Sequence, residues 1–302
     1  AGARDLDGAA PPQTLFGFVA RARLQRRHAG LPGLSLLSGD NPAENGALLQ
    51  RLMQEFLQRF DPTLADWFCA NCSCPSTMVD RIVPATTATE RDVVAADIGL
   101  RDEATVITEP FRQWVIEDRF AGPRPRWELG GAQIVADVRA HEAMKLRMLN
   151  GAHSALAYLG LHAGHEFVHQ AIADPAIRPV IERLTRTEAA ASLTLQPNLD
   201  TGAYADALLQ RFANTALPHR LAQIAMDGSQ KIPQRWLQAL TINRAAAREC
   251  PATLRALAAW LLHVRGDARR VDDPLAAELA GLWHSSGRDG IVSALFGNGG
   301  LF

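Results

Sequence analysis

The chain is short of cysteine, of net charge and of long apolar runs, and each shortage removes a class of protein. Four cysteines in 302 residues, Cys69, Cys72, Cys74 and Cys250, are too few for a disulfide scaffold. A formal net charge of -1 gives neither the basic footprint of a nucleic-acid binder nor an acidic tail. No stretch approaches the ~20 apolar residues that span a bilayer. The opening AGARDLDGAAPPQ lacks the basic start and apolar core of a secretory signal. A reducing cytoplasm is the expected location, with neither membrane nor nucleic acid among the partners. The chain begins with Ala rather than Met, which reads as a trimmed or partial chain. What remains is ordinary for a globular protein: 47% hydrophobic and 21% charged residues, in a length that suits one large domain or two of usual size.

The first part alternates helical and extended signals. Thr14 to Arg27 places Leu15, Phe18, Val19 and Ala22 on one face and arginines on the other, until Gly30 and Pro32-Gly33 stop it. Leu34 to Leu37 is a continuous apolar run, as expected of a strand covered on both faces. Asn45 to Phe60 is an amphipathic helix, Met78 to Val83 and Thr105 to Thr108 are strand candidates, and Thr87-Ala88-Thr89-Glu90 matches a capping box. From about Val138 the texture changes to Ala- and Leu-rich helical stretches: His141–Leu159, Pro175–Leu193, Tyr204–Phe212, Pro233–Arg248, Pro251–Val264 and Pro274–Trp283. The expected fold is α/β plus all-α, with residues 1–138 a sheet domain and 139–302 a helical domain.

In the helix that opens the second part, Lys145, Asn150 and His153 fall at roughly 0°, 140° and 80° around the axis of an α-helix, so all three point into one sector over about two turns. A desolvated Lys can exchange a proton near neutral pH, an Asn can donate to an oxygen where negative charge develops, and a His can orient a hydroxyl. Spacing alone favours the plainer reading, in which Lys and Asn are a solvated face and His153 a satisfied partner.

The wording around the trio is more specific. The stretch EAMKLRMLNGAHSALAYLG, residues 142–160, resembles the signature helix of the mannitol dehydrogenase family, the metal-independent long-chain polyol dehydrogenases. LSGDNPAENG (37–46), STMVDRIVP (76–84), EPFRQWVIED (109–118) and AMDGSQKIPQR (225–235) resemble further segments of that family, in the same order. The resemblance implies a Rossmann-like (doubly wound) domain, here partial, followed by a helical substrate domain. It implies an oxidoreductase that uses NAD, with NADP left open, and no metal. Carried over by position, Lys145 is the general acid/base and Asn41 and Asn150 stabilise the oxyanion. Asp80 and His153 bind substrate, as do Lys231 and, less directly matched, Arg220. Within the family the wording is most similar to the fructuronate reductases, also called mannonate oxidoreductases. A sugar acid wants cations near its carboxylate, and Arg220, Lys231 and Arg235 are candidates. A mannitol 2-dehydrogenase or other polyol dehydrogenase is the alternative, and a non-catalytic helical interaction module the alternative from another class.

The family pattern starts with a strand, a glycine-rich turn and a helix that receive the dinucleotide pyrophosphate. Gly8, Gly17, Gly30 and Gly33 do not form that G-x-G-x-x-G turn. No cofactor-binding residue is therefore named, and the chain as it stands is expected to hold NAD weakly or not at all and to show little activity. Gly39 stands where relatives usually carry Cys. Cys69, Cys72 and Cys74 lack the fourth ligand that structural zinc requires. Of His162, His165 and His169, only the last two would share a helix face. The six Trp residues are dispersed, as in ordinary core.

Overall fold

Local signals set several helix boundaries. The computed structural model describes residues 3–6, 11–194 and 199–302, so Gly8 lies outside the described residues. Two compact units result: residues up to Arg81 together with Arg112–Glu142, and Ile82–Phe111 together with Ala143–Phe302. The chain thus leaves the first unit for thirty residues, an excursion that a single boundary near residue 138 does not anticipate.

In the first unit, the Thr14 side chain caps the helix Leu15–His28 by accepting the Gly17 N–H at 3.2 Å. Arg26, Arg27 and His28 sit in its last turn, where the helix dipole favours positive charge. Asp61 caps the helix Pro62–Asn71, accepting from Thr63 N at 2.9 Å and Leu64 N at 3.2 Å, with Pro62 at the first helical position. That helix and Asn45–Phe60 enclose a core of Ala20, Met53, Leu57, Leu64, Ala65, Phe68 and Cys74. Burial pushes the Cys74 thiol up to about 11.

Among the described residues the sheet has three short strands. Strand β1 (Thr77–Asp80) pairs antiparallel with β2 (Gln113–Glu117), and β2 pairs parallel with β3 (Gln133–Val135). Leu34–Leu37, expected as a strand, makes only the bridge Ser35↔Ser73, with the Leu36 N–H on the Ser73 carbonyl at 2.9 Å. One bridge does not build a ladder, and Leu34 is exposed. The expected strand Met78–Val83 stops at Asp80, because the Ile82 N–H goes instead to the Glu109 carboxylate at 2.6 Å. Thr105–Thr108 is not a strand either; its end is fixed by the Thr108 hydroxyl on the Ile82 carbonyl at 3.0 Å.

The second unit begins with that excursion. Its helix Ala88–Ile98 starts at the capping box, with Thr87 N on Glu90 Oε2 at 2.7 Å and Glu90 N on Thr87 Oγ1 at 3.2 Å, and ends at Gly99 with φ 71°. The helix buries none of its residues. Glu109, 3% exposed, meets Arg211 with two parallel hydrogen bonds of 2.9 and 2.7 Å, and the guanidinium stacks 4.0 Å from the Phe111 ring centre. A bidentate, nearly dry pair of this kind replaces the apolar anchor the helix lacks.

At the centre of this unit the helix Gly151–Ala163 is buried on almost every side, as an all-round apolar sequence requires. It packs against Pro251–Val264, Val168–Ala173 and Leu221–Ile224, with Trp236, Trp260, Tyr158 and Phe212 filling the spaces between. Gly228 is obligatory here: a Cβ would lie 2.5 Å from both Trp260 Nε1 and Tyr158 Oη. The last helix, Ala276–Phe296, runs past the expected Trp283 and breaks at Gly287, φ 61° and ψ -173°. His165 lies outside any helix, because Gly164 at φ 88° ends Gly151–Ala163; its Nε2 meets Asp174 Oδ2 at 2.8 Å.

Candidate active site

The helix carrying the trio is not a continuous α-helix. It runs as α over Arg139–Met144, as a π-turn over Lys145–Asn150, and as α again over Gly151–Ala163. The Gly151 N–H reaches back five residues to the Leu146 carbonyl. Such turns leave carbonyls without their usual partner, and here distant side chains collect them. Arg235 Nη1 donates to the Asn150 carbonyl at 3.3 Å and to Ser154 Oγ at 2.7 Å, and Trp236 Nε1 donates to the Gly151 carbonyl at 3.1 Å. Both donors lie in a second π-turn, Pro233–Leu237, and a third, Leu184–Ala189, also contacts the first.

The π-turn corrects the angles expected of an α-helix. With five-residue bonding, Lys145 and Asn150 are about 50° apart instead of about 140°. His153, three α-helical residues further on, returns to within about 10° of Lys145. The backbone therefore presents all three on one narrow face. Lys145 and Asn150 are half-buried, while His153 is 8% exposed.

The His153 ring lies 4.8 Å from the Phe212 ring and meets His219 edge-on at 5.5 Å. Burial holds its pKa well below the usual histidine value, and His219, Arg235 and Arg211 push in the same direction. His153 is thus a neutral imidazole, with one donor and one acceptor nitrogen. Arg235 is half-buried, and loss of hydration lowers its pKa to about 10 against the opposing pull of Tyr158, so it stays charged at neutral pH. Among the described residues no carboxylate lies within ion-pair distance of it.

Of the residues expected to bind substrate, Lys231 is half-buried, with Nζ on the Met226 carbonyl, 3.5 Å from the Ile224 carbonyl and 3.8 Å from Asp227. Burial, then Arg235, lowers its pKa, opposed by Asp227 and Asp273. It caps the end of the short helix Leu221–Ile224. Arg220 is exposed; its guanidinium pairs with Glu166 and lies 5.3 Å from the Phe167 ring centre.

Asn41 and Asp80 belong to the first unit. Asn41 is exposed, its N–H on the Asp40 carboxylate at 2.8 Å, and Asp80 is buried at the end of β1. What ties their two segments together is Asn45, which the sequence reading passed over. Its amide donates to the carbonyls of Ser38 at 3.1 Å, Asp40 at 2.8 Å and Thr77 at 3.0 Å, and accepts the Thr77 N–H at 2.9 Å. The only signal for it was a polar residue on the buried stripe of an amphipathic helix. No group of three or more His, Cys, Asp or Glu able to hold a metal occurs among the described residues. No helix there is long and apolar enough to cross a membrane.

Comparison with known proteins adds two matching family profiles. One, described as the mannitol dehydrogenase Rossmann domain, matches residues 6–129, and the other, the mannitol dehydrogenase C-terminal domain, matches 137–295. The chain is 40% identical to a D-mannonate oxidoreductase of Escherichia coli K12, over 99% of this chain and 62% of that protein. It is 36% identical to a mannitol 2-dehydrogenase of Phaeosphaeria nodorum, over 92% of this chain and 50% of that one. The ternary complex of Pseudomonas fluorescens mannitol 2-dehydrogenase with NAD and D-mannitol superposes with a TM-score of 0.80 at 36% identity, covering 92% of this chain and 58% of the other. A substrate-free D-sorbitol dehydrogenase gives 0.81 at 31% identity, covering 89% and 56%. The chain thus spans about three fifths or less of the length of these relatives.

Proposed function

Because the chain belongs to the mannitol dehydrogenase family, we propose that it carries the proton-transfer half of an NAD-dependent oxidoreductase acting between a secondary alcohol and a ketone on a linear sugar acid. The observation that supports this most directly is the π-turn, which sets Lys145, Asn150 and His153 on one face. Lys145 gives a proton to the carbonyl oxygen in reduction and takes it from the alcohol in oxidation. The side-chain amide of Asn150 donates to that oxygen as it gains charge, a role that the family pattern also assigns to Asn41. Neutral His153 binds a substrate hydroxyl, and Asp80, Lys231 and Arg220 are assigned to substrate from the family pattern. NAD would supply or accept the hydride. A strand, glycine-rich turn and helix in succession are not found among the described residues, so no residue of this chain is assigned to hold the dinucleotide.

A sugar acid is favoured over a neutral polyol by Arg235. This cation is half-buried next to Asn150, and among the described residues no carboxylate lies within ion-pair distance of it. A substrate carboxylate would find favourable potential there. NADH oxidation with D-fructuronate and with D-fructose, at NADH concentrations high enough to offset weak cofactor binding, tests both points. Faster turnover of fructuronate is expected, and a preference for fructose would move the assignment to a polyol dehydrogenase. Lys145→Ala should lower turnover by about 100- to 10,000-fold; near-normal turnover would remove Lys145 from the mechanism.

A further inference from the structure

His219 stands beside the trio and has no role in the reading above. Its ring meets that of His153 edge-on at 5.5 Å. Both rings have a solvent-shielded nitrogen without a hydrogen-bond partner among the described residues: Nε2 of His153 and Nδ1 of His219. A buried polar atom left unpaired costs about 1–3 kcal/mol, and two such atoms on adjacent rings are a double cost at one place. The main chain of His219 is fully engaged, its N–H on the Leu217 carbonyl at 2.8 Å and its carbonyl accepting from Val168 N at 3.0 Å. The ring is therefore held by a fixed backbone, yet its inner nitrogen is unused.

The local conformation explains the direction of the ring. Arg220 is extended, φ -73° and ψ 128°, and forms an antiparallel bridge with Phe167. Neighbouring side chains on extended backbone point to opposite sides. Arg220 turns outward to Glu166 and Phe167, so His219 turns inward to His153. The exposed charge draws attention in the sequence, while the inward position belongs to its neighbour.

We propose that His219 is a second substrate-binding imidazole, exchanging a hydrogen bond through Nδ1 with a hydroxyl of the open-chain sugar next to the hydroxyl held by His153. This rests on the reading of Lys145, Asn150 and His153 as a sugar-acid or polyol site. The chemistry matches on both sides. Each neutral imidazole has one donor and one acceptor nitrogen, each hydroxyl can both donate and accept, and adjacent hydroxyls on a linear sugar are one carbon–carbon bond apart. Burial holds the pKa of both rings below the usual histidine value, which keeps either nitrogen available in its neutral form. A ligand hydroxyl would relieve at once the unpaired atoms that the protein leaves on these rings.

The test is a titration of the chain with D-mannonate and with D-mannitol. It is read by the imidazole nitrogen resonances and by the dissociation constant. Binding should shift the Nδ1 resonance of His219 together with Nε2 of His153. His219→Phe keeps a ring but loses the hydrogen bond and should weaken binding about tenfold, while His219→Gln should recover part of that loss. If ligand moves His153 but leaves His219 unmoved, and His219→Phe binds as tightly as wild type, the role of His219 is refuted and the site reading stands. If wild type binds neither ligand, the site reading itself fails and this inference with it. Should His219→Phe not fold, the wild-type resonances alone decide.

Discussion

Taking the protein from pH 7.5 to pH 5.5 should remove about 1.4 kcal/mol of folding stability through His153 alone. The unfolded chain titrates this residue at about 6.5, whereas the folded protein keeps it neutral well below that, first because it is buried and then because His219, Arg235 and Arg211 oppose a further charge. Between the two values the unfolded state binds a proton that the folded state does not. The contribution is therefore complete above pH 6.5 and is lost as pH falls towards the folded value, with a limiting slope of about 1.4 kcal/mol per unit. His141, His219 and His263 are shifted the same way by burial, less far, and add smaller losses. The carboxylates whose pKa moves among the described residues, such as Asp61, Asp137 and Asp174, move downward and remain ionised in this window. The assay is urea unfolding at both pH values for wild type and His153→Gln, whose side chain cannot take up the proton. Wild type should lose about 1.4 kcal/mol more than the variant over the interval. Equal losses would refute the reasoning, because they would mean that folded His153 accepts a proton as readily as the unfolded chain.

Three other perturbations follow from buried polar groups and close packing. Glu188→Ala removes a buried carboxylate that accepts from Ala252 N, Thr253 N, Thr253 Oγ1 and Arg183 Nε; it should cost about 3 kcal/mol in urea unfolding, and a loss near zero would deny it the capping role on Pro251–Val264. Glu109→Leu takes from the buried Arg211 guanidinium its two hydrogen bonds to Glu109 and should destabilise by about 3–5 kcal/mol, with Glu109→Leu/Arg211→Met recovering most of it. The single variant should also become sensitive to protease within residues 82–111, and a double mutant no more stable than the single would show that the pair is not the anchor. Gly46→Ala places a Cβ 2.5 Å from Cys74 O, Pro75 C and Ser76 N, all backbone. It should lower stability by at least about 1–3 kcal/mol, seen as a lower melting temperature, and an unchanged one would contradict that packing.

The helix Ala88–Ile98 was legible from Thr87 and Glu90, and Pro251–Val264 from its proline and apolar spacing, because a cap and a periodicity are made within a few residues. Strand β3 was not, since three residues of Gln133–Val135 become a strand only by pairing with β2. Likewise Leu34–Leu37 had the composition of a strand and found only one bridging residue. At the site, the identity and order of Lys145, Asn150 and His153 could be read, and so could the family they resemble. The α-helical spacing already put them in one sector, but the π-turn that narrows it could not be read: it exists with Arg235 and Trp236 on the carbonyls of Asn150 and Gly151, and those residues are 85 positions away. The same holds for Glu109 on Arg211, 102 residues apart, and for Asn45 on Thr77. By itself the sequence determined the helices that start on their own caps, the family and the chemical character of the candidate groups. Only the tertiary structure decided how narrow a face those groups share, that 82–111 joins the helical unit, and that His219 rather than Arg220 points inward. The reason is that a burial or a hydrogen bond between distant segments depends on a separation that no local pattern encodes.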